Sequence, residues 1–371
     1  MLFTQATSGH LIASRITAKL MQNLKAKKPV LVTGATGYVA GVLIKRLLED
    51  GLTVHATVRD ASNKERLKYL DAAAAQTPGE IRYFSADLLK QGSFADAMQG
   101  CSVVFHTASP FSTNVADPQK DLVEPAQLGT RNVLSEANKV GSVERVVLTS
   151  STAAIYGDNC DVEATAGGAF TEQDWNVTSS LQHQPYSYSK TVAEKEAWKI
   201  HDHQDRWSLV TINPTLVFGP GLNPFASGES YSIMKQFGDG TMKAGVPNFY
   251  IGMVDVRDVA EAHFQAAFNP KAQGRHLMSA EDSSFPEIAR MLRKEFGASY
   301  PLPKRTMPKW LVWLVGPMVD KALTRQVVKR NIGVPFRSDH SKVVNELGIQ
   351  FRSMEDSVTE MFQQLIDHKI I

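Results

Sequence analysis

The chain has little of what marks secreted, metal-binding or nucleic-acid-binding proteins. Its 371 residues hold two cysteines, Cys101 and Cys160, which excludes a disulfide scaffold and fits a reducing compartment. No Cys/His set has metal-ligand spacing, so no metal is expected. Charge of one sign is also missing: 40 Lys and Arg stand against 38 Asp and Glu. With no dense basic or aromatic array, the footprint of a nucleic-acid binder is absent. No apolar run approaches the ~20 residues that cross a bilayer. The most apolar window, Trp310 to Val319, is too short for that. It reads as a core helix or pocket wall, or as a contact face for a membrane or a partner. Acid is absent from the first 28 residues, and the first acidic side chain is Glu49. Arg15, Lys19, Lys25, Lys27 and Lys28 lie there, with Ile12, Ile16, Leu20 and Leu24 spaced by four. This basic amphipathic extension has the composition of an organelle presequence, a membrane-surface helix or an extra packed helix. A cytoplasmic protein is the expectation.

What is present begins with Thr33-Gly34-Ala35-Thr36-Gly37-Tyr38-Val39-Ala40. The apolar run Pro29 to Val32 precedes it. Val39, Val42, Leu43, Leu47 and Leu48 follow at helical spacing and stop at Gly51, so the reading is strand, tight turn, helix. Gly34 suits the turn, Gly37 lets a pyrophosphate reach the backbone, and the helix N-terminus offers free amides. Ala40 takes the place of the third glycine. A second strand, Thr53 to Val58, ends in Arg59-Asp60. An acid at that place pairs with ribose hydroxyls and favours NAD, whereas an Arg pairs with a 2′-phosphate and favours NADP. Arg59 comes first and Arg66 follows nearby, so NADP is expected, with NAD the alternative through Asp60.

Tyr186-Ser187-Tyr188-Ser189-Lys190 follows Pro185 and opens a long amphipathic stretch. Tyr186 and Lys190 are i and i+4 on one helix face, and Tyr188 points elsewhere. A lysine ammonium beside a phenol lowers its pKa and makes it a proton donor or acceptor near neutrality. A carbonyl-polarising group is expected at the end of the buried run Val146-Val147-Leu148, where Thr149, Ser150, Ser151 and Thr152 crowd together. Spacing does not choose among the four. His106 and His183 read as structural or solvated, and His201 and His203, two apart on a helix, share no face.

Strand candidates at 30–33, 53–58, 81–84, 102–106, 145–149 and 208–212 alternate with helical stretches, which implies an α/β protein with a parallel sheet covered on both faces. From Pro214 onward the pattern is irregular. The expected organisation is an extension at 1–28, a dinucleotide-binding domain at 29–212 and a mainly substrate-binding lobe at 213–371. The Gly/Thr/Asn-rich connection 158–184 would border the pocket. Phe111, Tyr156 and Phe225 are candidate pocket residues.

Together these residues resemble the extended short-chain dehydrogenases/reductases, and within them the dihydroflavonol 4-reductase-like branch. The likeness also rests on Val58-Arg59-Asp60, Asp87-Leu88, Val104 to Pro110, Leu148 to Ser151, Tyr186 to Lys195, Asn213 to Pro220 and Val254 to Ala260. It implies a doubly wound Rossmann sheet with a smaller C-terminal substrate lobe, onto which the 257–268 helix does not belong, since it packs back on the nucleotide domain. It implies that Ser151 holds a carbonyl oxygen, Tyr186 gives it a proton, and Lys190 lowers the Tyr186 pKa and holds the nicotinamide ribose. Gly34, Thr36, Gly37, Tyr38 and Val39 would line the pyrophosphate and Asp87 and Leu88 the adenine. Thr107, Ala108 and Ser109 would follow the middle of the cofactor, and Pro214, Thr215, Leu216 and Val217 its nicotinamide end. The implied activity is NADP-dependent, reversible reduction of a ketone or aldehyde. The partner would be a small carbonyl or alcohol, and the chain a monomer or homodimer. Three departures narrow it. Tyr156 stands where plant dihydroflavonol reductases carry a flavonoid-reading asparagine. Pro125 stands where nucleotide-sugar epimerases carry an asparagine. The Asn-Trp-Cys-Tyr motif of cinnamoyl-CoA reductases is absent. An epimerase or dehydratase recycling its cofactor on a nucleotide-sugar or steroid-like substrate, and a non-catalytic NADP sensor, are the alternatives.

Overall fold

The computed structural model describes residues 28–109 and 115–371. The amphipathic segment 1–27 and Phe111 lie outside them. Six short strands, β1 (Val30–Val32), β2 (Thr53–Val58), β3 (Glu80–Ser85), β4 (Val103–His106), β5 (Arg145–Thr149) and β6 (Ser208–Pro214), alternate with helices. β7 (Leu216–Phe218), β8 (Val246–Pro247), β9 (Tyr250–Asp255), β10 (Gly274–Met278), β11 (Glu281–Ser284) and β12 (Thr306–Met307) follow. The central sheet has seven strands in the order β10-β6-β5-β4-β1-β2-β3, and its pairs are all parallel. β1 and β4 are wholly buried, as strands covered by helices on both faces must be.

The order reverses beside β1, between β2 and β4. In a doubly wound sheet that switch point opens a crevice at the carboxyl ends of the strands. The glycine loop after β1, Thr107–Ser109 after β4 and Thr149–Thr152 at the end of β5 therefore meet at one edge.

The helix Tyr38–Glu49 buries Ala40, Leu43, Ile44, Leu47 and Leu48 against the sheet. The helix Val256–Phe268 packs beside it. Arg46 Nε donates to Glu261 Oε2 at 2.6 Å, and its guanidinium lies 3.8 Å from the centre of the Phe264 ring. Asp255 caps this helix, accepting from Arg257 N at 2.7 Å.

Two elements from beyond residue 212 therefore pack with the central sheet. One is this helix. The other is β10, which completes the sheet in parallel register with β6 and is missing from the six strand candidates. Its sequence, Gly-Arg-His-Leu-Met, reads as polar. Arg275 and His276 are nevertheless buried, because Glu194 and Glu346 meet them.

The rest of the chain builds a smaller unit around the sheet β11-β9-β7. The helices Glu229–Gly238, Phe285–Phe296 and Met354–Asp367 enclose a core with Phe218, Phe237, Met253, Leu292 and Phe362.

Candidate active site

Gly34 sits at φ +68°, and a Cβ there would stand 2.9 Å from the Ala108 side chain. Glycine is thus required both by the backbone angle and by the closeness of the β4 end. Gly37 caps the Tyr38–Glu49 helix without a side-chain hydrogen bond. Among the described residues no oxygen caps the first-turn amides, and such free amides are the donor set an anionic phosphate needs. Below the loop, Thr33 Oγ1 meets His106 Nδ1 at 3.0 Å and accepts from Ala108 N at 3.0 Å. Thr107 Oγ1 donates to the Thr33 carbonyl. These bonds join the ends of β1 and β4. His106 is a buried structural histidine, pushed down to about 3 by burial first and by Lys190 second. Tyr38 turns its phenol away from the loop. It donates to Gly219 O at 2.5 Å and meets Tyr231 edge to face at 5.1 Å, so only its backbone faces the loop. Thr36 is half-buried in the loop, and Val39 packs on the core.

At the end of β2 the structure separates Arg59 from Asp60. The Asp60 carboxylate accepts from Ser62 N at 2.9 Å and Ser62 Oγ at 2.6 Å. The Ser62 hydroxyl and amide hold it below the ordinary carboxylate range. Arg59 and Arg66 are both exposed, and Arg66 is close enough to Asp60 to act on its charge. Asp87 accepts from Leu89 N at 2.9 Å, and Leu88 packs over Gly129. Beyond β6, Pro214 O accepts from Thr152 Oγ1 at 3.3 Å. The Thr215 hydroxyl is taken up by Met278 O at 2.9 Å. Leu216 and Val217 run on into β7.

Hydrogen bonding discriminates among the four hydroxyls at the end of β5. His263 Nδ1 lies 2.7 Å from Val259 O and must donate to it. Its Nε2 is then an acceptor for Thr149 Oγ1 at 2.6 Å. Ser150 Oγ donates to Glu194 Oε2 at 2.5 Å, and Thr152 Oγ1 donates to Pro214 O. Ser151 differs. Its Oγ accepts from Ala153 N at 3.1 Å, which fixes the oxygen, and its hydrogen has no acceptor among the described residues.

Tyr186 and Lys190 lie on the helix Pro185–His201, with Pro185 at its first position. Lys190 Nζ donates to Ser109 Oγ at 2.8 Å and stands 5.6 Å from the centre of the Tyr186 ring. Tyr186 is 39 % exposed. The expected lowering of its pKa is not what the arrangement gives. Burial pushes the phenol above its usual range, and the Glu229 carboxylate pushes it further. Burial also brings Lys190 down to about 8. The ammonium lies over the ring, bound to Ser109, while burial and Glu229 keep the phenol neutral.

Sequence reading missed three groups of residues. Asp158, fully buried, meets His183 Nε2 at 2.8 Å, Gln184 Nε2 at 2.8 Å, Asn331 Nδ2 at 2.7 Å and Arg330 Nε at 2.6 Å. It ties the 158–184 connection and the C-terminal unit to the residue before Pro185. That residue, Gln184, is held at φ +52°, where a side chain other than glycine is strained. Glu194 is the second, bonded to Ser150, to Asn213 Nδ2 at 2.7 Å and to Arg275 Nε at 2.6 Å. The third is Glu229, whose own pKa burial raises. Asp158 and Glu229 lie in no motif, and Glu194 falls within the Tyr186 to Lys195 stretch without a role read from it. Only Glu194, four residues after Lys190, shares its helix face with Tyr186 and Lys190.

Tyr156 lies in an aromatic group with Phe170 at 4.6 Å and Phe336 at 5.1 Å. Phe225 is exposed and meets His368 at 5.7 Å. Among the described residues no group of three or more His, Cys, Asp or Glu could hold a metal, and no helix is long and apolar enough to cross a membrane.

Residues 30–278 match the NAD dependent epimerase/dehydratase family. A cinnamoyl-CoA reductase (CAD2) of Medicago truncatula is 36% identical over 349 residues, covering 92% of this chain and 96% of that protein. A bifunctional dihydroflavonol 4-reductase/flavanone 4-reductase of Pyrus communis is 33% identical over 287 residues, covering 74% and 78%. Among solved structures, Gre2 of Candida albicans in complex with NADPH aligns with a TM-score of 0.73 at 28% identity, covering 92% of this chain and 99% of that one.

Proposed function

The chain belongs to the NAD dependent epimerase/dehydratase family and is an NAD(P)-dependent oxidoreductase, and on that premise we propose that it reduces a ketone or aldehyde to an alcohol with NADPH, reversibly. The observation that carries this reading is the pair of open hydroxyls, Ser151 and Tyr186, beside a lysine that shares the tyrosine's helix face. NADPH, when bound, supplies the hydride, and the NADPH complex of the Candida albicans relative supports that choice. The open Arg59 beside an internally bonded Asp60 supports it from this chain's own residues.

The roles follow from the chemistry of each group. The uncapped helix start after Gly37 receives the pyrophosphate. Arg59, with Arg66, pairs with the 2′-phosphate. Ser151 donates to the carbonyl oxygen and polarises it. Tyr186, neutral at rest because burial and Glu229 favour the neutral form, gives the proton to that oxygen as charge develops. Lys190 holds the ribose and, bridged to Ser109, keeps its place beside the phenol. Residues 29–212, with β10 and the Val256–Phe268 helix, bear the cofactor. The remainder of 213–371, with Tyr156 and its aromatic neighbours, shapes the substrate side.

The test is oxidation of NADPH against NADH with a panel of aldehydes, ketones, diketones and flavanonols. Turnover with NADPH on a carbonyl supports the reading. Tight cofactor binding with no turnover on any of them would overturn it.

A further inference from the structure

The segment 304–330 differs in charge from the rest of the chain. It carries Lys304, Arg305, Lys309, Lys321, Arg325 and Lys329, with Arg330 neutralised by Asp158 and Asp161, against a single acid, Asp320, in a protein whose totals nearly cancel. It also holds the helix Lys309–Val319. Val312 and Gly316 of that helix are buried, with Val312 packed on Val328 and Ile332 in a small core. Trp310, Trp313, Leu314 and Met318, spaced i, i+3, i+4 and i+8, form the opposite stripe, and all four are exposed. Trp310 is 67% exposed and Met318 86%. The Arg325 guanidinium lies 4.5 Å from the centre of the Trp313 ring, so a cation is fixed at the edge of the apolar stripe. Lys309 is held likewise, donating to Lys329 O at 2.9 Å.

We infer that this helix is a docking surface for a bilayer containing anionic lipid, lying in the interface with Trp310, Trp313, Leu314 and Met318 among the acyl chains and the surrounding cations on the headgroups. Three considerations select this occupant. Eleven residues make a helix of roughly 16 Å, about half the hydrocarbon thickness, so it can lie on a bilayer and not cross it. A protein partner is expected to form about one hydrogen bond per 100–200 Å² of interface, and this stripe offers only indole N–H groups, whereas acyl chains require none. A second copy of the chain would set one cationic rim against another, while a phosphatidylserine surface complements it. Tryptophan is also the side chain suited to a boundary with one apolar and one wet side.

The test is co-sedimentation of the full chain with vesicles of phosphatidylcholine, alone and with phosphatidylserine, at low and high salt, with tryptophan emission recorded in the same samples. The expected result is binding that requires phosphatidylserine and weakens with salt, with the emission moving to the blue. Trp310→Ser with Leu314→Ser, and separately Lys304→Glu with Lys321→Glu, should each weaken binding by about tenfold or more. Both variants leave residues 1–28 intact, so any affinity residing there would persist. Equal binding by wild type and both variants, or no binding by wild type, would overturn the inference. So would concentration-dependent dimerisation abolished by Trp310→Ser.

Discussion

Two polar clusters stand side by side at the end of β5 and on the Pro185–His201 helix, the inner one reaching on to β6 and β10. Ser150 and Ser151 are neighbours at the end of β5. Tyr186, Lys190 and Glu194 follow one another at four-residue intervals on a single helix. In the inner cluster, Ser150, Glu194, Asn213 and Arg275 are buried and bonded to each other. In the outer cluster, Ser151 keeps its hydrogen, and the Tyr186 hydroxyl has no hydrogen bond among the described residues. Residue type does not separate them. The inner cluster's donors and acceptors are occupied, so it holds the sheet edge and the helix together. The outer cluster's are open, so it can meet a substrate. Disturbing the inner cluster should cost stability, and disturbing the outer one should cost rate.

The largest expected effect is on rate. Tyr186→Phe should lower kcat by about 10²–10⁴, on the order of 3–5 kcal/mol, with the melting temperature and NADPH affinity nearly unchanged. Tyr188→Phe should do little. Equal kcat for Tyr186→Phe and wild type would remove the phenol from the chemistry. Next comes Glu194→Ala, which strands Arg275 in the core and should cost roughly 3–5 kcal/mol in urea denaturation. A variant as stable as wild type would show that the inner cluster is not what holds the helix to the sheet. Ser150→Ala and Ser151→Ala sharpen the same contrast between adjacent residues, the first read in stability and the second in kcat.

Arg59→Ala should weaken NADPH by about 10–100-fold, as loss of a charge-assisted pair implies, and should leave NADH nearly unaffected. Equal losses for both cofactors would remove Arg59 from the 2′-phosphate. A further effect is on pH dependence. His106 and His263 are buried and neutral, brought by burial to about 3 and about 4. Unfolded histidines take up protons near 6.5, so between pH 6.5 and 4 the unfolded chain binds more protons than the folded one. Stability is full above 6.5 and should fall as pH drops, by up to about 1.4 kcal/mol per pH unit for each histidine. Denaturation at pH 7 and pH 5 checks this, and His263→Gln should flatten the slope.

The nucleotide side of the cleft was legible in the sequence because its function rests on short-range features. A glycine at the turn, a strand end and an i, i+4 pair are all contained within a few residues. The choice of Ser151 as the proposed polarising hydroxyl came only from family likeness, because four candidates in a row differ in partners that lie far along the chain, His263, Glu194 and Pro214. β10 was hidden because Arg275 and His276 read as surface residues until Glu194 and Glu346 are placed beside them. Asp158 and Glu229 were invisible for the same reason: nothing near them in sequence indicates what they face. Spacing shows the lysine beside Tyr186 but not the burial or the Glu229 carboxylate, both of which push the phenol up.

The most direct test of the open cluster is single-turnover reduction with NADPH carrying deuterium at the transferable position of the nicotinamide. If Ser151 and Tyr186 act on a carbonyl, the deuterium should appear on the carbinol carbon of the alcohol, one for each NADPH oxidised, and Tyr186→Phe should lose the transfer. Substrate conversion with no net NADPH oxidation, or an alcohol free of label, would contradict the account and point to a recycled cofactor.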